Sequence, residues 1–385
     1  MTEKILFHGG RVVTAAETWD RGWLLVDGNR IALLGPGDPP RLGADRTIDA
    51  SGLTLLPGFI DVHAHGAAGH EAMDATPDAL QGMARYYAQH GTTAFLAATW
   101  TDSTERIHAA LSAIGETMGP QPDGATLLGT YLEGPYLNPE RCGAQSMQHI
   151  RRASREEALA FLDMGVIREV ALAPEFEENH WLIEECVARG ITVTAAHTAA
   201  TYEQMRQAVA LGLRQATHTF NAMTPLHHRE PGTVGAVLSS PEIRAELIAD
   251  NLHVHPAVMR ILYAAKGPHG VILITDAMRG TGMPDGEYPI DERIVLVKDG
   301  AARLPDGTLA GSTLSMERAL RNLIAATGQP LEVVWPCSSL NAARALHLAD
   351  RKGSIEVGKD ADLVLLDAAL EVRMTVAEGR IVYEA

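Results

Sequence analysis

Residues 60–66 read IDVHAHG, placing His63 and His65 two positions apart at the end of an apolar run. Alternate side chains of a strand share a face, so the two imidazoles point the same way and can converge on one cation. Taken alone, such a pair is more readily two structural histidines. It gains meaning from residues farther along the chain: Glu133, Glu175, His197, His218, Asp250 and Asp276 each come at or just past the end of a short apolar, β-type run. Four histidines with several carboxylates make a mixed nitrogen and oxygen donor set. That set suits a divalent metal ion and the activation of water for hydrolysis.

The runs that must position these residues are LPGFIDV, TTAFLAA, TLLGTYL, REVALA, ITVTAA, RQATHT, RAELIA and VILIT, eight in all. Amphipathic stretches separate most of them. PDALQGMARYYAQHG has Pro77 in its first turn and Gly91 as its stop, and SREEALAFLDMG has Ser154 as its cap. Eight strand–helix repeats predict an α/β fold, a TIM-like (β/α)8 barrel whose site gathers at the C-terminal strand ends. Shorter β-type runs with glycine turns (ILFHGGRVV, GWLLVDG, RIALLG) open the chain, and ADLVLLD and GRIVYEA close it. They predict a small β-sandwich built from both termini, with residues 1–54 and 349–385 flanking a catalytic barrel over 55–348.

Composition narrows the function. Of 385 residues, 46% are hydrophobic and 21% charged, as in an ordinary globular protein, and the net charge of −16 offers no general field for nucleic acid or anionic membrane. Cys142, Cys186 and Cys337 lie far apart and form no CxxC pair, which argues against a disulfide framework and fits a cytoplasmic setting. The first residues lack the apolar segment of a secretion signal, and no run reaches membrane-spanning length.

HxH after strand one, histidines after strands five and six and an aspartate after strand eight resemble the amidohydrolase superfamily. Within it, YLEGPYLNPERCGAQ (131–145), AAHT (195–198), THTFNAMTPLHHREPG (217–232), IADNLHVHP (248–256), LITDAM (273–278) and GTLAGSTLSM (307–316) are similar to N-acetylglucosamine-6-phosphate deacetylases. The carboxylated lysine with which some amidohydrolases bridge two metals is ruled out, because no lysine occurs between Lys4 and Lys266. Glu133 is then the natural acidic ligand, as the resemblance also implies.

On this reading Glu133, His197 and His218 hold one divalent ion, and His63 with His65 hold a second. One or two ions per subunit are expected, zinc first, with iron, cobalt and manganese compatible with the same donors. Asp276 is both a candidate ligand and the candidate base that takes a proton from water and passes it to the departing amine. Gln145 stands where relatives carry Gln or His and would orient the acetamide. Asn221, Ala222 and Arg229 would cradle the phosphate of a small amino-sugar substrate. The resemblance implies that Arg229 reaches the neighbouring site of a homodimer and that His253 contacts substrate. Asn251 departs from the glycine usual in its segment, which leaves open the choice between N-acetylglucosamine-6-phosphate and N-acetylgalactosamine-6-phosphate. Rival readings are a deaminase or N-acyl-amino-acid hydrolase on the same barrel, or a scaffold without turnover.

Overall fold

The computed structural model describes residues 3–385. Eight parallel strands succeed one another in chain order round a barrel: β1 (Phe59–Ala64), β2 (Thr92–Ala98), β3 (Thr126–Glu133), β4 (Ile167–Leu172), β5 (Thr192–Ala195), β6 (Gln215–Ala216), β7 (Arg244–Ile248) and β8 (Val271–Ile274). Closure of β8 on β1 is made just beyond the strand. The Asp276 N–H donates to the His63 carbonyl at 2.9 Å, Ala64 bridges Ala277, and the Asp61 carboxylate accepts the Thr275 hydroxyl at 2.5 Å. That stitching puts the ends of β1 and β8, with His63, His65 and Asp276, side by side.

The helices start and stop where side chains satisfy their ends. Thr76 caps Pro77–Gln89 by accepting the Ala79 N–H, and Gly91 comes soon after in the left-handed region at φ +79. Ser154 caps Arg155–Asp163 in the same way. Among the described residues no helix is long and apolar enough to cross a membrane.

Both chain ends build the smaller sheets. A four-stranded sheet joins Lys4–His8, Gly22–Asp27, Arg30–Pro36 and Arg46–Asp49; a six-stranded one joins Arg11–Val13, Thr18–Trp19 and Thr54–Pro57 to Leu363–Leu366, Val372–Ala377 and Arg380–Glu384. Phe7, Val12, Leu24, Leu55, Leu363 and Val376 form one buried cluster, so the termini are held by a shared core. The strand Thr54–Pro57 runs across position 54/55 and hands the chain straight to β1.

One element lies outside the sequence reading. After β8 an antiparallel sheet of Gly286–Ile290, Arg293–Lys298 and Ala301–Arg303 rises beside the barrel mouth. The chain carries a signal for it: RIVLVK alternates in burial, and Asp299–Gly300, both at positive φ, make the tight turn that Asp-Gly favours. Its Arg293 donates to the Ala144 carbonyl at 2.7 Å, tying the insertion to the loop after β3.

Candidate metal centre and its cavity

His63 and His65 are buried at the end of β1 with their Nε2 atoms 3.2 Å apart. Glu133, last residue of β3, stands between them and a second histidine pair. Its Oε2 lies 3.1 Å from His65 Nε2 and 3.6 Å from His63 Nε2, while its Oε1 lies 3.2 Å from the Nε2 atoms of both His197 and His218. Those two nitrogens are themselves 3.2 Å apart. Asp276 Oδ1 joins the first group, 3.3 Å from His65 Nε2 and 3.6 Å from His63 Nε2.

These spacings fit metal ions. Ligands about 2.0–2.1 Å from a tetrahedral ion sit roughly 3.3 Å from one another, close to the edges measured in each group. When both rings of a pair present their Nε2 lone pairs, as metal ligands do, only a cation between them relieves the repulsion. His63, His65 and Glu133 form one set that could hold an ion; Glu133, His197 and His218 form the other. A single carboxylate therefore bridges two sets of histidines.

The backbone around these donors is bent to aim them. His197, His218 and Asp276 have φ of 42, 27 and 50, a left-handed conformation that side-chain-bearing residues seldom adopt. The Ser312 N–H holds the Asp276 carbonyl at 2.7 Å, so the GTLAGSTLSM segment braces the turn that carries Asp276. The Arg141 carbonyl lies 2.8 Å from His197 Nδ1, leaving Nε2 to face Glu133. His65 is stacked on Trp100 and His63 on Tyr131, with ring centroids 3.8 and 4.2 Å apart.

Electrostatics result from burial and proximity. Burial works to raise the Glu133 carboxyl, but the facing charge of His63 and hydrogen bonds from His197 and His218 hold it well below the usual range. Asp276 is likewise lowered: burial opposes this, and His63 and His65 outweigh it. His63 moves the other way. Burial disfavours its charge, yet the carboxylates of Glu133 and Asp276 carry it well above an ordinary histidine.

Above the donors opens a cavity of about 390 Å³, and most of the expected site residues share it: Glu133, Gln145, His197, His218, Asn221, Ala222, His253 and Asp276 all line it. Gln145 donates an amide N–H to Glu133 Oε2 at 2.6 Å and accepts the Thr101 N–H at 2.8 Å. Arg229 is exposed and holds its guanidinium 2.7 Å from His228 Nε2 of its own loop, outside the set of residues lining the cavity of its own chain.

Two carboxylates do not join the donor sets as the strand-end reading expects. Glu175 accepts from Asn138 Nδ2 and the Ala199 N–H, each at 2.7 Å, and from the Thr198 hydroxyl, so it fastens loops together. Asp250 accepts from His253 Nδ1 at 2.6 Å and from two backbone N–H groups, which turns the other face of that ring to the cavity. Thr308, Leu309 and Gly311 bring the GTLAGSTLSM segment to the cavity wall, and Trp100 and Arg141 line it without having been anticipated. Trp100 has a signal in the chain, because it comes just after β2, the one strand among the first three whose end carries no histidine or carboxylate donor.

The profile of the Amidohydrolase family matches residues 54–382. The chain belongs to the amidohydrolase family. This is a metal-dependent family, in keeping with the two donor sets. An N-acetylglucosamine-6-phosphate deacetylase of Lysinibacillus sphaericus is 41% identical, with 88% of each chain covered. An N-acetylgalactosamine-6-phosphate deacetylase of Escherichia coli O157:H7 is 40% identical over 85% of this chain and 87% of its own. The solved structure of an aspartate-to-alanine mutant of Mycobacterium smegmatis N-acetyl-D-glucosamine-6-phosphate deacetylase, in complex with N-acetyl-D-glucosamine-6-phosphate, superposes with a TM-score of 0.92 at 35% identity, covering 99% of both chains. Barrel and terminal sheets therefore share one architecture with an amidohydrolase seen holding a phosphorylated amino sugar.

Proposed function

We propose that the chain hydrolyses the N-acetyl group of N-acetylglucosamine-6-phosphate, giving glucosamine-6-phosphate and acetate. The observation that carries this reading is the Glu133 carboxylate shared by two histidine pairs beneath a cavity walled by Asn221, Ala222 and Arg141. The names of the relatives, across nearly the full chain, supply the substrate.

Glu133, His197 and His218 would hold one divalent ion and His63, His65, Glu133 and Asp276 a second, with zinc the first choice for such donors. Bound there, an ion supplies Lewis acidity toward the acetamide carbonyl and lowers the pKa of water. Asp276, ionised at neutral pH, accepts the proton of the attacking water and returns it to the nitrogen of the breaking C–N bond, so the amine leaves neutral. Gln145 has a second N–H beyond the one given to Glu133, free to steady the acetamide. His253, its Nδ1 engaged by Asp250, offers Nε2 to a sugar hydroxyl.

The phosphate falls to the Asn221 amide, the Ala222 backbone and Arg141, whose buried Nε has no hydrogen-bond partner. Arg229 would complete the clamp from the partner subunit of a homodimer, which accounts for its exposure on its own chain. Three free cysteines suit a reducing, cytoplasmic setting. A second reading has two supports: the galactosamine-type relative is nearly as similar as the glucosamine-type one, at 40% against 41% identity, and Asn251 sits two residues from His253. Acetate release from N-acetylglucosamine-6-phosphate, N-acetylgalactosamine-6-phosphate and unphosphorylated N-acetylglucosamine tests both. A strong preference for the first supports the proposal, preference for the second replaces it, and equal or absent turnover removes the phosphosugar assignment.

A further inference from the structure

Glu246, in the middle of β7, sits behind the donor sets and is fully buried. Its Oε2 lies 3.1 Å from His63 Nδ1 and accepts the backbone N–H of His218 at 3.2 Å. Its Oε1 accepts an N–H of Gln215 at 2.7 Å, and the same amide nitrogen reaches Glu169 at 2.8 Å. We propose that Glu246 is a positioning residue that fixes the tautomer and direction of His63 and so creates the His63–His65–Glu133 half-site; this rests on the two-ion reading above.

Both Glu246 oxygens already accept, from the His218 N–H and from Gln215, so the proton of a neutral His63 is drawn to Nδ1 and the Nε2 lone pair is left facing His65 and Glu133. The other histidines are governed differently. His197 is oriented by a carbonyl, and the Nδ1 atoms of His65 and His218 have no hydrogen-bond partner. His65 instead owes its ring plane to the stack on Trp100. His63 is thus the one ring of the four held by a carboxylate from behind, the arrangement that raises ligand basicity and locks orientation. Glu246 touches the second set only through the His218 backbone, so its removal should act unequally on the two.

The test is cobalt(II) titration of chelator-treated protein, monitoring visible absorption and bound metal per subunit, for wild type, Glu246→Ala and Glu246→Gln. A His63→Asn variant identifies which transition belongs to the first half-site. Wild type is expected to take two ions. Glu246→Ala should weaken the His63 transition about 10–100-fold, the usual effect of losing such an outer carboxylate, with the other transition shifted by much less. Glu246→Gln keeps an acceptor oxygen in the same shape and should fall between, which also keeps the test open if the alanine variant folds poorly. Unchanged affinities in Glu246→Gln and Glu246→Ala, or equal weakening of both transitions, would overturn the proposal. A wild type that takes a single ion would instead refute the two-ion reading beneath it.

Discussion

Replacing Asp276 by Asn separates two roles that the geometry allows: proton carrier and metal ligand. The substitution disturbs little else. Asp276 has φ 50, a conformation Asn tolerates better than most residues, and its turn is held by backbone bonds to His63 and Ser312. What disappears is one negative charge and the capacity to take up a proton. General acid–base catalysis is worth about 10²–10⁴ in rate, or roughly 3–5 kcal/mol of barrier. The lost charge also weakens the pull on a cation between His63 and His65, whose Nε2 atoms lie 3.6 and 3.3 Å from Oδ1. A hydrogen bond to a charged group is worth about 1.5–3 kcal/mol, so metal affinity at that half-site should drop on the order of tenfold to a hundredfold.

Added metal distinguishes the two losses. Acetate release should be measured against substrate at rising zinc or cobalt concentrations, with bound metal determined in parallel. We expect metal content to recover while kcat stays about 10²–10⁴-fold down and KM changes by less than about tenfold. If excess metal returns kcat to within about tenfold of wild type, Asp276 acts as a ligand alone and the proton-transfer assignment is wrong.

Three further outcomes are expected. The raised pKa of His63 means that a proton occupies it at neutral pH and must leave before metal binds; affinity at its half-site should therefore climb with pH, by up to about one decade per unit, and a chelator competition that shows no pH dependence between about 6.5 and 8.5 would contradict this. Asn251 sits at φ 67, so Asn251→Ala should cost about 1–2 kcal/mol in denaturant unfolding while Asn251→Gly costs less, and equal losses would count against strain at that turn. If Arg229 serves the neighbouring site, mixing inactive Arg229→Ala and Asp276→Asn subunits should restore roughly a quarter of wild-type activity through hybrid dimers with one intact site; no recovery after verified subunit exchange would place the arginine elsewhere.

Why some of the site is legible in sequence and some is not depends on where each residue sits on its strand. His63, His65, Glu133, His197, His218 and Asp276 can be read because they lie at or within about two residues of a strand end, where the barrel favours the mouth, although Asp250, equally near its strand, is turned onto His253 and two backbone N–H groups. Glu175 lies three residues beyond Leu172, far enough for the loop to turn its carboxylate toward Asn138 and Ala199. Glu169 and Glu246 escape for the opposite reason. They lie inside strands, in REVAL and RAELI, and strand-interior acids look like errors in an apolar run until the barrel is closed and their side chains meet across it. A charge in a run that must be buried is the usable signal, since such a group survives only with partners.

The left-handed backbones of His197, His218 and Asp276 are equally invisible to local preference, and they have an energetic cost. Each costs about 1–2 kcal/mol relative to a relaxed conformation, so together they absorb about 3–6 kcal/mol in a fold whose net stability is about 5–15 kcal/mol. Local sequence preference cannot maintain them. They persist because β5, β6 and β8 are locked into one barrel, and because Arg141, Glu246 and Ser312 grip the turns from the next loop or strand. Strain of this kind is retained where relaxing would move a side chain off its target. Here the three residues held against their preference are the very ones whose Nε2 and carboxylate atoms face Glu133 and the β1 histidines across a few ångströms.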